Sequence, residues 1–252
     1  MRQRRPDGSV WVRTHPLTCV HDSTSPAHDH EWDQLTYAAS GVMHVHTETA
    51  SWLVPPHRAV WLPAGTRHTE VMHAPVSVRT LYLAPSLARA LPRHCAMVNI
   101  PALLRELILH VSRIGALDRR KPVHAHLISV LLDELVSVSD VPLQLPMPRD
   151  PRARRLAAVL QARPDEAGSV AALSRGAGAS RRTMERVFLV ETKMTVGEWR
   201  RRLRLLHGVR LLARGESVTS AALDAGYAST SAFIAAFRRT FGTTPSRYAA
   251  AI

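Results

Sequence analysis

Cysteine is nearly absent: the 252 residues include two, Cys19 and Cys95, far apart and outside any Cys-X-X-Cys pattern. That excludes a disulfide framework and a thiolate zinc knuckle, and it predicts a reducing, cytoplasmic compartment. Aromatic residues make up only 5% of the chain. No apolar run approaches the roughly 18 residues of a membrane span, so no membrane partner is expected. The opening Met1-Arg2-Gln3-Arg4-Arg5-Pro6-Asp7-Gly8 is followed by no signal-like apolar core, so export is not expected either. Its arginines read as a solvated tail. Acidic residues are also scarce: 20 Asp+Glu against 33 Lys+Arg leave a formal charge of +13, which implies a polyanionic partner. With 46% hydrophobic residues, the chain can still bury a real core.

The excess charge is not spread evenly. Residues 1–148 hold 14 Lys+Arg against 12 Asp+Glu, and residues 149–252 hold 19 against 8. Histidine runs the other way: of 14, only His207 lies beyond residue 149. Two domains follow, a nearly neutral His-rich one and an Arg-rich one. The Pro-rich Val141-Pro142-Leu143-Gln144-Leu145-Pro146-Met147-Pro148 between them suits a stiff linker.

In the first half, short alternating runs (9–12, 34–37, 42–46, 52–54, 59–62 and 78–83) are broken by turn residues, which predicts an all-β sandwich or barrel. Two of the turns carry chemistry-capable side chains. One is His28-Asp29-His30, followed after three residues by Gln34 and after six more by Gly41. The other is Pro63-Ala64-Gly65-Thr66-Arg67-His68. A His-X-His pair on a strand puts both imidazoles on one face, and a third from a neighbouring strand would close a site for a first-row divalent metal. The alternative is a metal-free effector pocket lined by histidine. A second pair, His44 and His46, reads as ordinary strand residues.

The spacing of these two segments resembles the two motifs of cupin barrels, with Gln34 where the first motif has Glu and Met72 where the second often has Asn. The resemblance implies a ligand set of His28, His30 and His68, with Gln34 as a neutral fourth. After the barrel, 102–114 and 123–138 have apolar residues at helical spacing. These two helices either cover the barrel or form a homodimer interface.

In the second half, helical stretches at 152–162 and 170–177 precede Gly178, and Ser180 can N-cap a helix running through Arg181–Val190. Helix, tight turn and helix make the unit that lays its second helix in a DNA major groove. The arrangement recurs at 218–225 and 230–241, with a long helix, 198–212, between the two. At about 1.5 Å per residue that helix is a rigid spacer suited to recognition helices about one DNA turn apart. Phe233, Phe237 and Phe241 recur every fourth residue and mark core.

Residues 152–250 resemble the DNA-binding domain of the AraC/XylS family of transcriptional regulators. The match is strongest in Ala225-Gly226-Tyr227-Ala228-Ser229-Thr230-Ser231-Ala232-Phe233 and in Phe237-Arg238-Arg239-Thr240-Phe241-Gly242-Thr243-Thr244-Pro245-Ser246-Arg247-Tyr248. The resemblance implies base contacts from Arg182, Glu185 and Arg186 in the first recognition helix and from Thr230, Ser231, Ala232 and Ala235 in the second. Ala235 stands where the family often has Arg, so the first unit should dominate specificity. Arginine can grip guanine O6 and N7, and Glu185 can accept from cytosine N4. Arg181, Arg200, Arg201, Arg202, Arg204, Arg238 and Arg239 are assigned to phosphates.

The expected fold is therefore α+β: a cupin-like β-barrel (1–100), a helical pair (101–140), the linker (141–149) and an all-α domain of two helix-turn-helix units on a long helix (150–252). The expected function is a one-component transcriptional regulator of double-stranded DNA. A small effector or a divalent metal in the cupin-like domain would modulate it, and RNA polymerase would be a further partner if it activates. No catalytic residue is assigned. A cupin metalloenzyme fused to a DNA-targeting module is the competing reading, and nonspecific DNA compaction is a third.

Overall fold

A computed structural model of the chain describes residues 8–136, 144–166 and 168–250. The arginine tail and residues 137–143, where the second trailing helix was expected to end and the linker to begin, lie outside them. The chain forms two compact units, Met1–Thr47 with Trp52–Leu143 and Glu48–Ser51 with Gln144–Ile252.

The first unit is an antiparallel sheet. Its strands are β1 (Val10–Cys19), β2 (Ser23–Thr24), β3 (Asp33–Thr47), β4 (Ala50–Val54), β5 (Arg58–Leu62), β6 (His68–Leu83), β7 (Ala96–Asn99) and β8 (Ala116–Asp118). The order along the sheet is β7-β5-β3-β6-β1-β8, with β2 paired to β6. The two runs expected at 34–37 and 42–46 are one strand, β3, interrupted by register shifts between Ala38 and Val42. Gly41 makes that bulge possible: its φ is +73°, and a Cβ there would lie 2.2 Å from the Pro75 carbonyl oxygen on β6. β6 is longer than expected because its first half, His68–His73, pairs with the second half of β3.

The faces of this sheet differ chemically. Val12, Leu35, Tyr37, Leu81 and Leu83 pack into one core with Leu104, Ile108 and Val111 of α1 (Ala102–Ile114) and with Ile128, Leu131 and Leu135 of α2 (Pro122–Val136). The two trailing helices thus cover one face of the sheet. Their neighbours in sequence, Gln34, Thr36 and Thr80, point the other way and are also buried. That second face is polar, and it carries His68.

The second unit opens with a short extended segment, Gln144–Pro146 (β9), and helix α3 (Pro151–Ala162). The described part of the expected linker is built into this unit: Leu145 is buried, and the Pro146 carbonyl accepts from Trp199 Nε1 at 2.7 Å. Asp150 N-caps α3 by accepting from the Arg152 and Ala153 amides. There follow α4 (Val170–Gly176), α5 (Arg181–Thr192), α6 (Val196–Ala213), α7 (Val218–Asp224), α8 (Thr230–Phe241) and α9 (Pro245–Ala250). All four helices of the two helix-turn-helix units have serine N-caps, Ser169, Ser180, Ser217 and Ser229, each accepting from an amide three residues on. Only Ser180 was anticipated. In the second turn Gly226 has φ +79°, and a Cβ there would meet Asp165 Cα at 2.8 Å.

Within the second unit, helix α6 packs against both helix-turn-helix pairs. Thr195 and Glu198 close a capping box at its N-terminus. Trp199, fully buried, meets Phe188 of α5 edge-on at 5.7 Å. Further along, Gly208 lets the Phe233 ring of α8 lie directly against the helix backbone. Among the described residues no helix is long and apolar enough to cross a membrane.

Candidate functional site

His28 and His30 lie off the strands, as the turn placement of the motif implied, so strand alternation is not what aligns their rings. They occupy the connection between β2 and β3, where Pro26 and a bend break the pairing, and only an isolated bridge from His28 to His68 remains. That bridge brings the motifs together: the His28 amide donates to the His68 carbonyl (3.0 Å) and the His68 amide to the His28 carbonyl (2.9 Å). The Pro63–His68 turn docks on the same connection, with the Gly65 amide donating to the His30 carbonyl (2.8 Å) and the Ala64 amide to the buried Asp33 carboxylate (2.8 Å). Burial raises the Asp33 pKa, and the Ala64 amide opposes the shift.

The three rings converge. His28 and His68 centroids are 4.4 Å apart, His30 and His68 5.3 Å, and one nitrogen from each ring lies within 4.8 Å of the others. In each ring Nδ1 faces a backbone carbonyl: Pro26 for His28 (2.9 Å), Trp32 for His30 (2.7 Å) and Thr66 for His68 (2.8 Å). A carbonyl only accepts, so each Nδ1 carries a proton, which leaves Nε2 as the nitrogen that can bind a metal. His68 Nε2 is buried with no hydrogen-bond partner, and burial pushes its pKa down to about 4, so the ring is neutral at pH 7.

Gln34, expected as the fourth donor, is 1% exposed on β3 and presents Oε1 to His30 Nε2. Its Nε2 donates to the Glu70 carboxylate at 2.8 Å and also contacts the Thr36 hydroxyl. The opposite amide orientation would set two oxygens against each other at that distance, so Oε1 must face the histidine. His30 Nε2 then meets Gln34 Oε1, a contact that either a proton on Nε2 or a cation in its place reconciles. The donor set therefore fits a divalent cation, three imidazoles and an amide oxygen suiting a borderline transition metal.

Sequence reasoning missed Glu70. It follows His68 at the period-two spacing of β6, so it shares that residue's face, and the His-X-Glu pattern was its available signal. Burial raises the Glu70 pKa, and hydrogen bonds from Thr36 and Gln34 oppose the shift. His44 and His46 do more than fill a strand. They stack at 5.7 Å, His44 Nδ1 meets His73 Nε2 at 2.9 Å, and His73 Nδ1 lies 3.8 Å from Asp22. This second cluster alternates along β3 and β6 with Met43 and Met72, on the face opposite His68 and Glu70.

In the second unit the structure sorts the candidates. Arg181, Arg182 and Arg186 are exposed at the start of α5, and Ser231, Ala232, Ala235, Arg238 and Arg239 are exposed on α8, with Thr230 half-buried. Glu185 is committed elsewhere: its carboxylate accepts from the Val196 amide at 3.0 Å, at the N-terminus of α6, so it acts as a helix-terminus group rather than a free base acceptor. Arg200 and Arg204 are likewise not free for phosphate. Arg200 donates to the Gly168 carbonyl (3.0 Å), and Arg204 donates to the Pro164 (2.9 Å), Asp165 (3.4 Å) and Glu166 (3.2 Å) carbonyls, pinning the loop between α3 and α4. Arg201, Arg202 and Arg239 instead line one cleft of about 340 Å³ with Lys193.

Two serine-capped helix-turn-helix units on a shared helix, preceded by an antiparallel sheet domain, define a DNA-binding regulator with a separate ligand-binding module. Residues 15–136 match the AraC-like ligand binding domain, and residues 173–251 match a helix-turn-helix domain. Over 236 residues the chain is 34% identical to the HTH-type transcriptional regulator NimR of Escherichia coli, covering 92% of this chain and 86% of that protein. Over 103 residues it is 37% identical to the HTH-type transcriptional regulator RipA of Corynebacterium glutamicum, covering 41% and 31%. The crystal structure of the DNA-binding domain of AdpA in complex with a target DNA aligns over 40% of this chain and 92% of that one, at 34% identity and a TM-score of 0.38. The chain belongs to the AraC family of transcriptional regulators.

Proposed function

We propose that this regulator binds promoter DNA in a sequence-specific manner in the cytoplasm, and that a divalent metal, or a small effector reaching it, at the His28–His30–His68 site alters that binding. The convergence of three imidazoles with every Nδ1 tied to a carbonyl carries this reading, because it leaves the three Nε2 atoms as the metal-binding nitrogens of one cluster. His28, His30, His68 and the Gln34 oxygen would hold the ion, which would supply a fixed positive charge joining two loops to the sheet. Occupancy can shift DNA affinity only by binding two conformations of the chain unequally. Arg182 and Arg186 read bases from α5, and Thr230, Ser231 and Ala232 contact the duplex from α8. Arg181, Arg201, Arg202, Arg238 and Arg239 neutralise phosphates.

Leu103 of α1 and Val123 and Val130 of α2 remain exposed on the helices that cover the sheet, which supports a homodimer. RNA polymerase is a further partner if the protein activates. The enzyme reading is less well supported, since the relatives are regulators and the Glu70 carboxylate is held by Gln34 and Thr36. Mobility-shift titration against DNA upstream of the protein's own gene and against random DNA tests the proposal. Binding to the upstream DNA that is tighter by at least about tenfold at equal salt is expected, against the 10³–10⁷-fold range of specific binders. Equal affinities would leave only nonspecific compaction.

A further inference from the structure

We infer that Glu70 determines which atom of residue 34 faces the ion of the three-histidine site. The inference rests on the metal reading above and adds a positioning residue to it. Each imidazole is held by its Nδ1 contact, whereas Gln34 can present either its amide oxygen or its amide nitrogen, of which only the oxygen can bind a cation. What fixes the choice lies behind Gln34, where a carboxylate meets its amide nitrogen. Glu70 Oε1 accepts from Gln34 Nε2 at 2.8 Å and from the Thr36 hydroxyl at 3.1 Å.

Glu70 is not itself in the ligand group, since the cluster of nitrogens within 4.8 Å comprises the three histidines. Its backbone is fixed independently of them. The Ser25 hydroxyl accepts from the Glu70 amide (2.9 Å), and the Ser25 amide donates to the Glu70 carbonyl (2.9 Å). A carboxylate anchored in this way does two things. It draws the Gln34 amide hydrogens toward itself, which turns Oε1 to the ion, and it polarises that amide so that the oxygen is more negative. The charge and the donor sit on different strands, Glu70 on β6 and Gln34 on β3, and the hydrogen bond between them couples the two.

The test uses the full chain with cobalt(II) as a spectroscopic probe and a chromophoric chelator in competition. Glu70→Gln keeps the shape and removes the charge. It is expected to weaken cobalt(II) binding by roughly 10–100-fold, as loss of an outer-sphere carboxylate does, and to shift the cobalt visible spectrum. The exchanged pair Gln34→Glu/Glu70→Gln restores one carboxylate and one amide at the same hydrogen bond, so it should recover most of the lost affinity. Melting of the metal-free variants checks that the sheet is intact. If Glu70→Gln binds cobalt(II) like the wild type with an unchanged spectrum, while His68→Ala binds none, the metal site stands and the role of Glu70 is overturned. If the wild type binds neither cobalt(II) nor zinc(II), both fail.

Discussion

Gly208→Ala tests whether α6 organises the second recognition helix. A Cβ at position 208 would lie 2.6 Å from Phe233 Cε2 and 2.8 Å from Cζ, where ordinary carbon contacts need about 3.5–4.0 Å. The ring must therefore retreat by about 1 Å. It has little room to do so, because Phe233 is fully buried between Tyr227 (5.3 Å) and Phe237 (5.5 Å). Overpacking of this kind costs about 1–3 kcal/mol, and Gly→Ala in a helix returns about 1 kcal/mol of propensity. With the ring confined on both sides the upper part of the overpacking range, about 2–3 kcal/mol, applies, and a net loss of about 1–2 kcal/mol follows, borne by α8. Gly197→Ala in the first turn of the same helix is the control, since its Cβ would meet nothing within 4 Å. Hydrogen exchange of peptides from α8 reads the effect locally. Gly208→Ala should exchange about 5–30-fold faster there, and Gly197→Ala no faster than the wild type. Unchanged or slower exchange of α8 in Gly208→Ala would refute the packing and the role of α6 with it.

Arg182→Ala should lose about 1–3 kcal/mol of discrimination at one base pair, seen by footprinting on a randomised site, whereas an unchanged base preference removes it from the reading set. Arg238→Ala should weaken all sequences alike and reduce the salt slope by about 1. Arg204→Ala should behave differently, leaving the salt slope alone and lowering stability by about 1–3 kcal/mol as three loop carbonyls lose their donor. A fall in salt slope for Arg204→Ala would return it to the phosphate set. In metal-stripped protein, His68 is neutral in the fold with its pKa near 4 and titrates near 6.5 when unfolded, so between those values the unfolded chain binds more protons and stability falls as pH falls. The loss from pH 7 to pH 5 is about 2 kcal/mol. Chemical unfolding at the two pH values should show that much less pH dependence in His68→Gln, and an equal dependence would contradict the burial argument.

Most of the second unit was legible in the sequence because its signals are local. The turn glycines, the Ser180 cap and the four-residue spacing of Phe233, Phe237 and Phe241 each place a helix end or a buried face without reference to the rest of the chain. What a charge count could not convey was direction. Arg200 and Arg204, one turn apart on α6, read as phosphate contacts until the α3–α4 loop is seen lying over them. In the first unit the His28-X-His30 and His68 motifs were found by spacing and placed on turns, but strand alternation was invoked to join them. The rings meet through a loop bridge and a docked turn, not through strand alternation. Glu70 had a local signal in its His-X-Glu spacing from His68, but its partners Gln34 and Thr36 lie on β3, and that pairing is a long-range fact that no local pattern fixes.

The central claim is that occupancy of the three-histidine site changes DNA binding. Titration of a labelled upstream fragment at fixed salt, with protein loaded with zinc(II) and with protein stripped by chelator, tests it most directly when repeated with His68→Ala. The account predicts a change in DNA affinity of at least about fivefold between the loaded and stripped wild type, the lower end of typical allosteric couplings, and none in the variant. Superimposable wild-type isotherms, with zinc(II) shown to be bound in one and absent in the other, would contradict it.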